Sequence, residues 1–200
     1  MDEKSQETVT KYLGDMRAVV GHTKTAMSRQ RDGYKDRPAV VSRIADIESE
    51  LDEQIARIEE RLNQLGGSPT APLKDAVASF AVGVAGLYDK TGTEGVAKAL
   101  RDDLVATSLC YVSWSMLHTT AGAFGDQDTA GIAEKGMHEC ARAVMTLDEM
   151  IPSEVERELQ DSGTPLEQGA SGRTERVSGE AWSSERVRVS ADRPATAGSR

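Results

Sequence analysis

Apolar positions recur along the first 150 residues at the three- and four-residue steps of an α-helix. Over residues 5–31 the series Val9, Leu13, Met16, Val20, Thr23 and Met27 forms one seam. His22 lies roughly 200° from Val20 on that wheel, so it is expected to face solvent. Asp32-Gly33-Tyr34-Lys35-Asp36 interrupts the pattern, and Pro38 falls where a new helix would begin. Over residues 38–65, Ile44, Ile47, Leu51, Ile55, Ile58, Leu62 and Leu65 make a continuous stripe. Glu and Arg fill much of the remaining surface, and Gly66-Gly67 supplies the stop.

Thr70 and Pro72 open a shorter apolar-sided segment ending near Leu87, placed as a crossover connection. Thr91-x-x-Glu94 is a capping-box pattern that opens a third long helix. Its stripe reads Val96, Leu100, Leu104, Thr107, Tyr111, Trp114 and Leu117, with Cys110 beside it and Ala121 and Phe124 extending it. Phe124-Gly125-Asp126 turns the chain into a fourth helix, about residues 128–150, which buries Met137, Cys140, Val144, Leu147 and Ile151 before Pro152. Beyond residue 162 the chain turns rich in Ser, Gly and Arg and loses its period, the composition of a disordered tail. The pattern predicts an all-α four-helix bundle with a crossover helix over residues 5–161 and a tail over 162–200.

Composition narrows the function. The chain of 200 residues carries a formal charge of -9. Nucleic-acid affinity rests on Lys and Arg neutralising phosphates, so no nucleic-acid partner is expected. A mean hydropathy of -0.47 and the lack of a long apolar run exclude a membrane-spanning helix. The polar, acidic start MDEKSQETVTKY does not read as a signal or transit peptide, and a cytoplasmic location follows as the default. Aromatics make up only 4%, so the core must come from Leu, Ile, Val, Met and Ala.

Three short patterns carry a family resemblance. Gln54-Ile55-x-x-Ile58-Glu59 followed by Leu65-Gly66-Gly67-Ser68-Pro69, then Trp114 to Leu117 with Ala121 to Asp126, and Leu13-Gly14-Asp15-Met16 resemble the ferritin-like superfamily over residues 5–151. Within it they resemble the stress-associated YciF-like branch. That resemblance implies two iron or manganese ions held inside the bundle by carboxylates and histidines on facing helices. Carried onto this sequence, the expected ligands fall at Val20, near Cys110 with Thr107 three residues earlier, and at Cys140 with Ala143 and Val144 following. Glu50 and Glu53 keep the ligand spacing at the edge of their stripe. Glu139 points roughly 100° away from Cys140. The carboxylates that a surviving metal site would use are Glu48, Glu50, Glu53 and Glu139.

Cys110 and Cys140 stand fifteen residues on either side of Gly125, which places them level in the hairpin. They are either two small buried hydrophobes or a redox pair in the position of the metal site. No other nucleotide, metal or nucleophile motif stands out. The leading expectation is a non-enzymatic ferritin-like bundle, without cofactor, acting in protein interaction or stress response as a homo-oligomer or with a protein partner. The alternatives are an iron or manganese protein with oxidase, peroxidase or storage activity, and an interaction module that docks through its tail around Trp182 and Arg186-Val-Arg-Val189.

Overall fold

A computed structural model describes residues 1–67, 95–163 and 165–191. Two compact units divide the chain, Met1–Ile151 and Pro152–Arg200. Among the described residues all regular structure is helical. The helices are α1 (Glu3–Gln30), α2 (Pro38–Gln64), α3 (Val96–Ala123), α4 (Gln127–Asp161) and α5 (Ala170–Ala191), with a 3-10 turn at Arg31–Tyr34.

Each helix boundary has a chemical cause. Asp2 caps α1 by accepting the Ser5 N–H at 2.8 Å. Pro38 occupies the first turn of α2, where a missing N–H costs nothing. At the far end of α2, Gly66 adopts φ 74°, and the Gly67 N–H returns to the Leu62 carbonyl at 2.8 Å.

The α3–α4 turn is built the same way and does two jobs at once. Gly125 takes φ 73°, its N–H donates to Gly122 O at 3.1 Å, and the Asp126 N–H donates to Ala121 O at 2.9 Å. Asp126 then starts α4 by accepting the Thr129 N–H at 3.0 Å and the Thr129 hydroxyl at 2.6 Å.

Residue contacts set the helix directions. Pairing of Arg17 with Glu59, Lys24 with Asp52 and Ser28 with Glu48 makes α1 and α2 antiparallel. Thr23 against Cys110 and Tyr34 against Asp103 make α1 and α3 antiparallel. Glu50 with Arg142, Arg57 with Glu139 and Arg61 with Asp126 make α2 and α4 antiparallel. α2 and α3 therefore run parallel on one diagonal. The Thr70–Leu87 segment and the Thr91-x-x-Glu94 cap lie outside the described residues.

The core matches the α1 and α2 stripes closely. Val9, Leu13, Met16, Val20, Thr23 and Met27 are all buried, as are Ile44, Ile47, Leu51, Ile58 and Leu62, while His22 is half-buried rather than exposed. In α3 the inward face differs from the one read in the sequence. Leu100, Asp103, Thr107, Cys110, Trp114, Leu117 and Ala121 point in, Leu104 is half-buried and Tyr111 is exposed. From Leu104 to Leu117 this helix has no charged residue, so its period alone could not choose a face. The surplus apolar residues Val105, Leu109, Val112 and Met116 form a second, exposed stripe at helical spacing.

In the second unit, the stretch expected from its composition to lack structure is helical over Ala170–Ala191. Glu156 Oε2 accepts the Ser171 N–H at 2.9 Å in its first turn. Val177 and Trp182 are exposed, so local backbone bonding, rather than a packed apolar face, accounts for the helix. The composition argument concerned core burial, and local helix formation does not require it.

Candidate functional site at the centre of the bundle

The bundle interior is polar at one level. Four helices contribute there: Thr23 from α1, Gln54 from α2, Cys110 and Trp114 from α3, and Cys140 from α4, all essentially inaccessible to solvent. The Trp114 indole Nε1–H donates to Gln54 Oε1 at 2.9 Å. The Gln54 amide lies against Cys140 Sγ, with Nε2 at 3.8 Å and Oε1 at 3.9 Å. Thr23 Oγ1 lies 3.3 Å from Cys110 Sγ and is anchored by donating to the Val19 carbonyl at 3.0 Å. Each polar group at this level therefore has a partner, as burial demands.

Helix α4 passes directly over the indole at Gly136. A Cβ at that position would come within 2.6 Å of Trp114 Cδ2 and Nε1, so a side chain there and the indole cannot coexist without a shift. Gly136 thus lets Trp114 fill the middle of the bundle.

The two thiols are free and both buried at this level. Contact with Cys140 holds the Cys110 thiol below its ordinary value against the effect of burial, and the Thr23 hydroxyl adds to it. Cys140 is pushed up, first by the same contact with Cys110 and then by burial.

The four glutamates that a metal site would use are not brought together. Glu48 is buried but accepts the Ser28 hydroxyl at 2.6 Å and pairs with Arg31. Glu50 pairs with Arg142 at 3.1 Å, and Glu53 is exposed beside Arg57 at 3.5 Å. Glu139 is buried: roughly 100° round the helix from Cys140, it turns towards α2 and pairs with Arg57, with Lys135 at 3.8 Å. Among the described residues no group of three His, Cys, Asp or Glu side chains is placed to hold a metal ion. Iron and manganese centres of this architecture call for carboxylate and imidazole donors, whereas the centre offers two thiols, an amide and a hydroxyl. These residues do not fit such a centre.

Sequence reasoning named the two cysteines and missed Gln54 and Trp114 as members of the site. The signal for Gln54 was present: it stands three residues after Leu51 and four before Ile58, a seam position occupied by a polar side chain. A second polar cluster was not legible. The Tyr34 hydroxyl, buried, donates to Asp103 Oδ2 at 3.0 Å, and the Gln30 amide, with its nitrogen turned inward, donates to Asp103 at 3.2 Å.

The comparisons with known proteins agree with this architecture. The family described as "Domain of unknown function (DUF892)" matches residues 4–160. A solved protein from Xanthomonas campestris pv. campestris superposes with a TM-score of 0.66 at 24% identity, covering 80% of this chain and 99% of its own. A Bacillus anthracis structure titled as ferritin-like, diiron-carboxylate proteins gives a TM-score of 0.60 at 13% identity, covering 76% and 99% of the two chains. A Dps protein from Vibrio cholerae gives 0.63 at 15% identity, covering 76% and 93%. No curated protein matches the chain. At these identities the likeness establishes the ferritin-like fold. No helix among the described residues is long and apolar enough to cross a membrane.

Proposed function

Since the chain belongs to the DUF892 family and has a ferritin-like fold, we propose that it is a non-enzymatic member whose di-metal centre has been replaced by a neutral packed network, and that it acts through protein interaction. One observation carries this reading. Thr23, Gln54, Cys110 and Cys140 meet at the centre, while Glu48, Glu50, Glu53 and Glu139 are each engaged by a basic side chain. A carboxylate committed to an arginine cannot move to a metal without giving up that ion pair, which is costly where the carboxylate is buried, as Glu139 is.

The exposed stripe Val105, Leu109, Val112 and Met116 supports the interaction half of the proposal. Contiguous apolar surface on one helix is a common feature of contact sites. The competing reading is an iron or manganese protein that handles oxidants or stores metal.

Elemental analysis of untagged protein, with sizing in the same preparation, separates the two. Metal-free protein in a dimer or larger assembly is the expected result. Stoichiometric iron or manganese would overturn the proposal, whatever the assembly size.

A further inference from the structure

The polar level of the bundle holds two nucleophiles for which packing alone gives no account. Cys110 and Cys140 are 0% and 1% exposed, on neighbouring antiparallel helices, equidistant from the Gly125 turn. Buried cysteines that serve as small hydrophobes sit among apolar side chains. These two are flanked instead by polar groups, the Thr23 hydroxyl oxygen at 3.3 Å from Cys110 and the Gln54 amide at 3.8 Å from Cys140, whose N–H can donate to a sulfur carrying negative charge. We propose that Cys110 and Cys140 form a buried dithiol that reduces hydrogen peroxide and closes to an interhelical disulfide. The proposal rests on the metal-free reading of the centre given above.

The chemistry balances on the two thiols and one peroxide. Cys110, as thiolate, attacks one peroxide oxygen. The O–O bond breaks, a sulfenic acid forms on Cys110, and the departing hydroxide takes up the proton that Cys110 released, giving water. Cys140 sulfur then attacks the sulfenic sulfur. The S–O bond breaks, the S–S bond forms, and the second hydroxide leaves as water with the Cys140 proton. Two thiols are oxidised by two electrons, and peroxide is reduced to two waters. Helix α1 supplies the Thr23 hydroxyl on the Cys110 side, and α2 supplies the Gln54 amide on the Cys140 side, so the attacking and resolving sulfurs have different surroundings.

Burial selects the oxidant. Sulfurs this inaccessible admit a small, uncharged molecule through breathing of the bundle and exclude a peptide disulfide, whose exchange needs in-line approach to the sulfur. Hydrogen peroxide is therefore the expected oxidant, and oxidised glutathione is not.

The test uses the full chain, reduced and freed of reductant. After hydrogen peroxide, thiol alkylation in denaturant followed by peptide mapping is expected to show both cysteines lost together. A Cys110–Cys140 linked peptide should appear, with the chain still monomeric on a non-reducing gel and restored by dithiothreitol. Oxidised glutathione should leave both thiols free. Cys140→Ser should accumulate a dimedone-trapped sulfenic acid on Cys110, whereas Cys110→Ser should trap far less on Cys140. Thiols that survive peroxide in the native chain, under conditions that oxidise the urea-unfolded chain, would overturn the proposal. So would links between chains, or over-oxidation of one cysteine without a link. The wild-type map stands by itself if either serine variant fails to fold. Elemental analysis of the same batch keeps the two readings apart: bound iron or manganese overturns the proposed function, and a metal-free chain with inert thiols overturns only the dithiol.

Discussion

Gln54 shows how much one side chain can hold in place. Its carbonyl accepts the only donor of the Trp114 indole, and its amide lies against Cys140, so α2, α3 and α4 meet on a single residue. Gln54→Leu keeps nearly the same volume and removes the acceptor, leaving a buried N–H without a partner. The expected cost is about 1–3 kcal/mol. Urea denaturation checks it: the midpoint should fall while the slope stays unchanged, because the same surface is exposed on unfolding. A midpoint equal to wild type would mean that the indole finds another acceptor. Gln54 could have been recognised from its seam position, whereas Trp114's part could not. Its ring fills the centre only because Gly136 faces it, and that proximity joins residues 22 apart on different helices.

At the scale of an element, the α3–α4 turn joins a helix cap to a buried ion pair. The buried Asp126 accepts from the Thr129 N–H and hydroxyl and pairs with Arg61 at 2.7 Å, itself bonded to Thr129 Oγ1 at 2.9 Å. Burial by itself would raise the Asp126 carboxyl, but the two Thr129 bonds and then Arg61 together hold it below the usual value. The sign follows directly. A carboxyl depressed in the folded state contributes stability that is present above its unfolded value, near about pH 3.9, and that is lost as pH falls through the folded value. Asp126→Asn should therefore lower stability at pH 7 and flatten its decline below about pH 4. The loss should exceed the roughly 0.5–2 kcal/mol of a typical helix cap, since Arg61 loses its nearest carboxylate. Unfolding free energies of both chains measured across that range decide it, and parallel curves would refute the assignment. The turn itself was readable from Gly125, but its buried ion pair was not: Arg61 lies 65 residues earlier and looks like one more charge on the polar face of α2.

For the whole molecule, the legible part of the fold was the part with contrast. Charged residues on the outer face of α2 left its apolar stripe unambiguous, and the four-helix bundle followed from such stripes and their breaks. The uncharged middle of α3 offered two competing faces, and the sequence reading admitted Tyr111 and Leu104 where the structure buries Asp103 and Cys110. Among the described residues, the hydrophobic core lies between Val9 and Ile151, inside the first compact unit. Deleting residues 162–200 should therefore keep a single cooperative thermal transition with Tm within about 2 °C of the full chain, since 1 kcal/mol shifts a domain of this size by about 2–4 °C. Calorimetry of the two chains tests this, and a larger drop would show that the bundle depends on its C-terminal region. Partner recovery with the same pair of chains reports whether that region docks.

The contact between Gly136 and Trp114 imposes an order on any attempt to rebuild this centre. Four acidic substitutions at positions 23, 54, 110 and 140 would set negative charge against an indole that already occupies the space and whose own donor would have lost Gln54. The ring would have to shrink first. Only then would there be volume for an ion and the water that accompanies it. Design and natural reversion face the same staircase, in which the first step weakens the core and returns nothing until the later ones are taken.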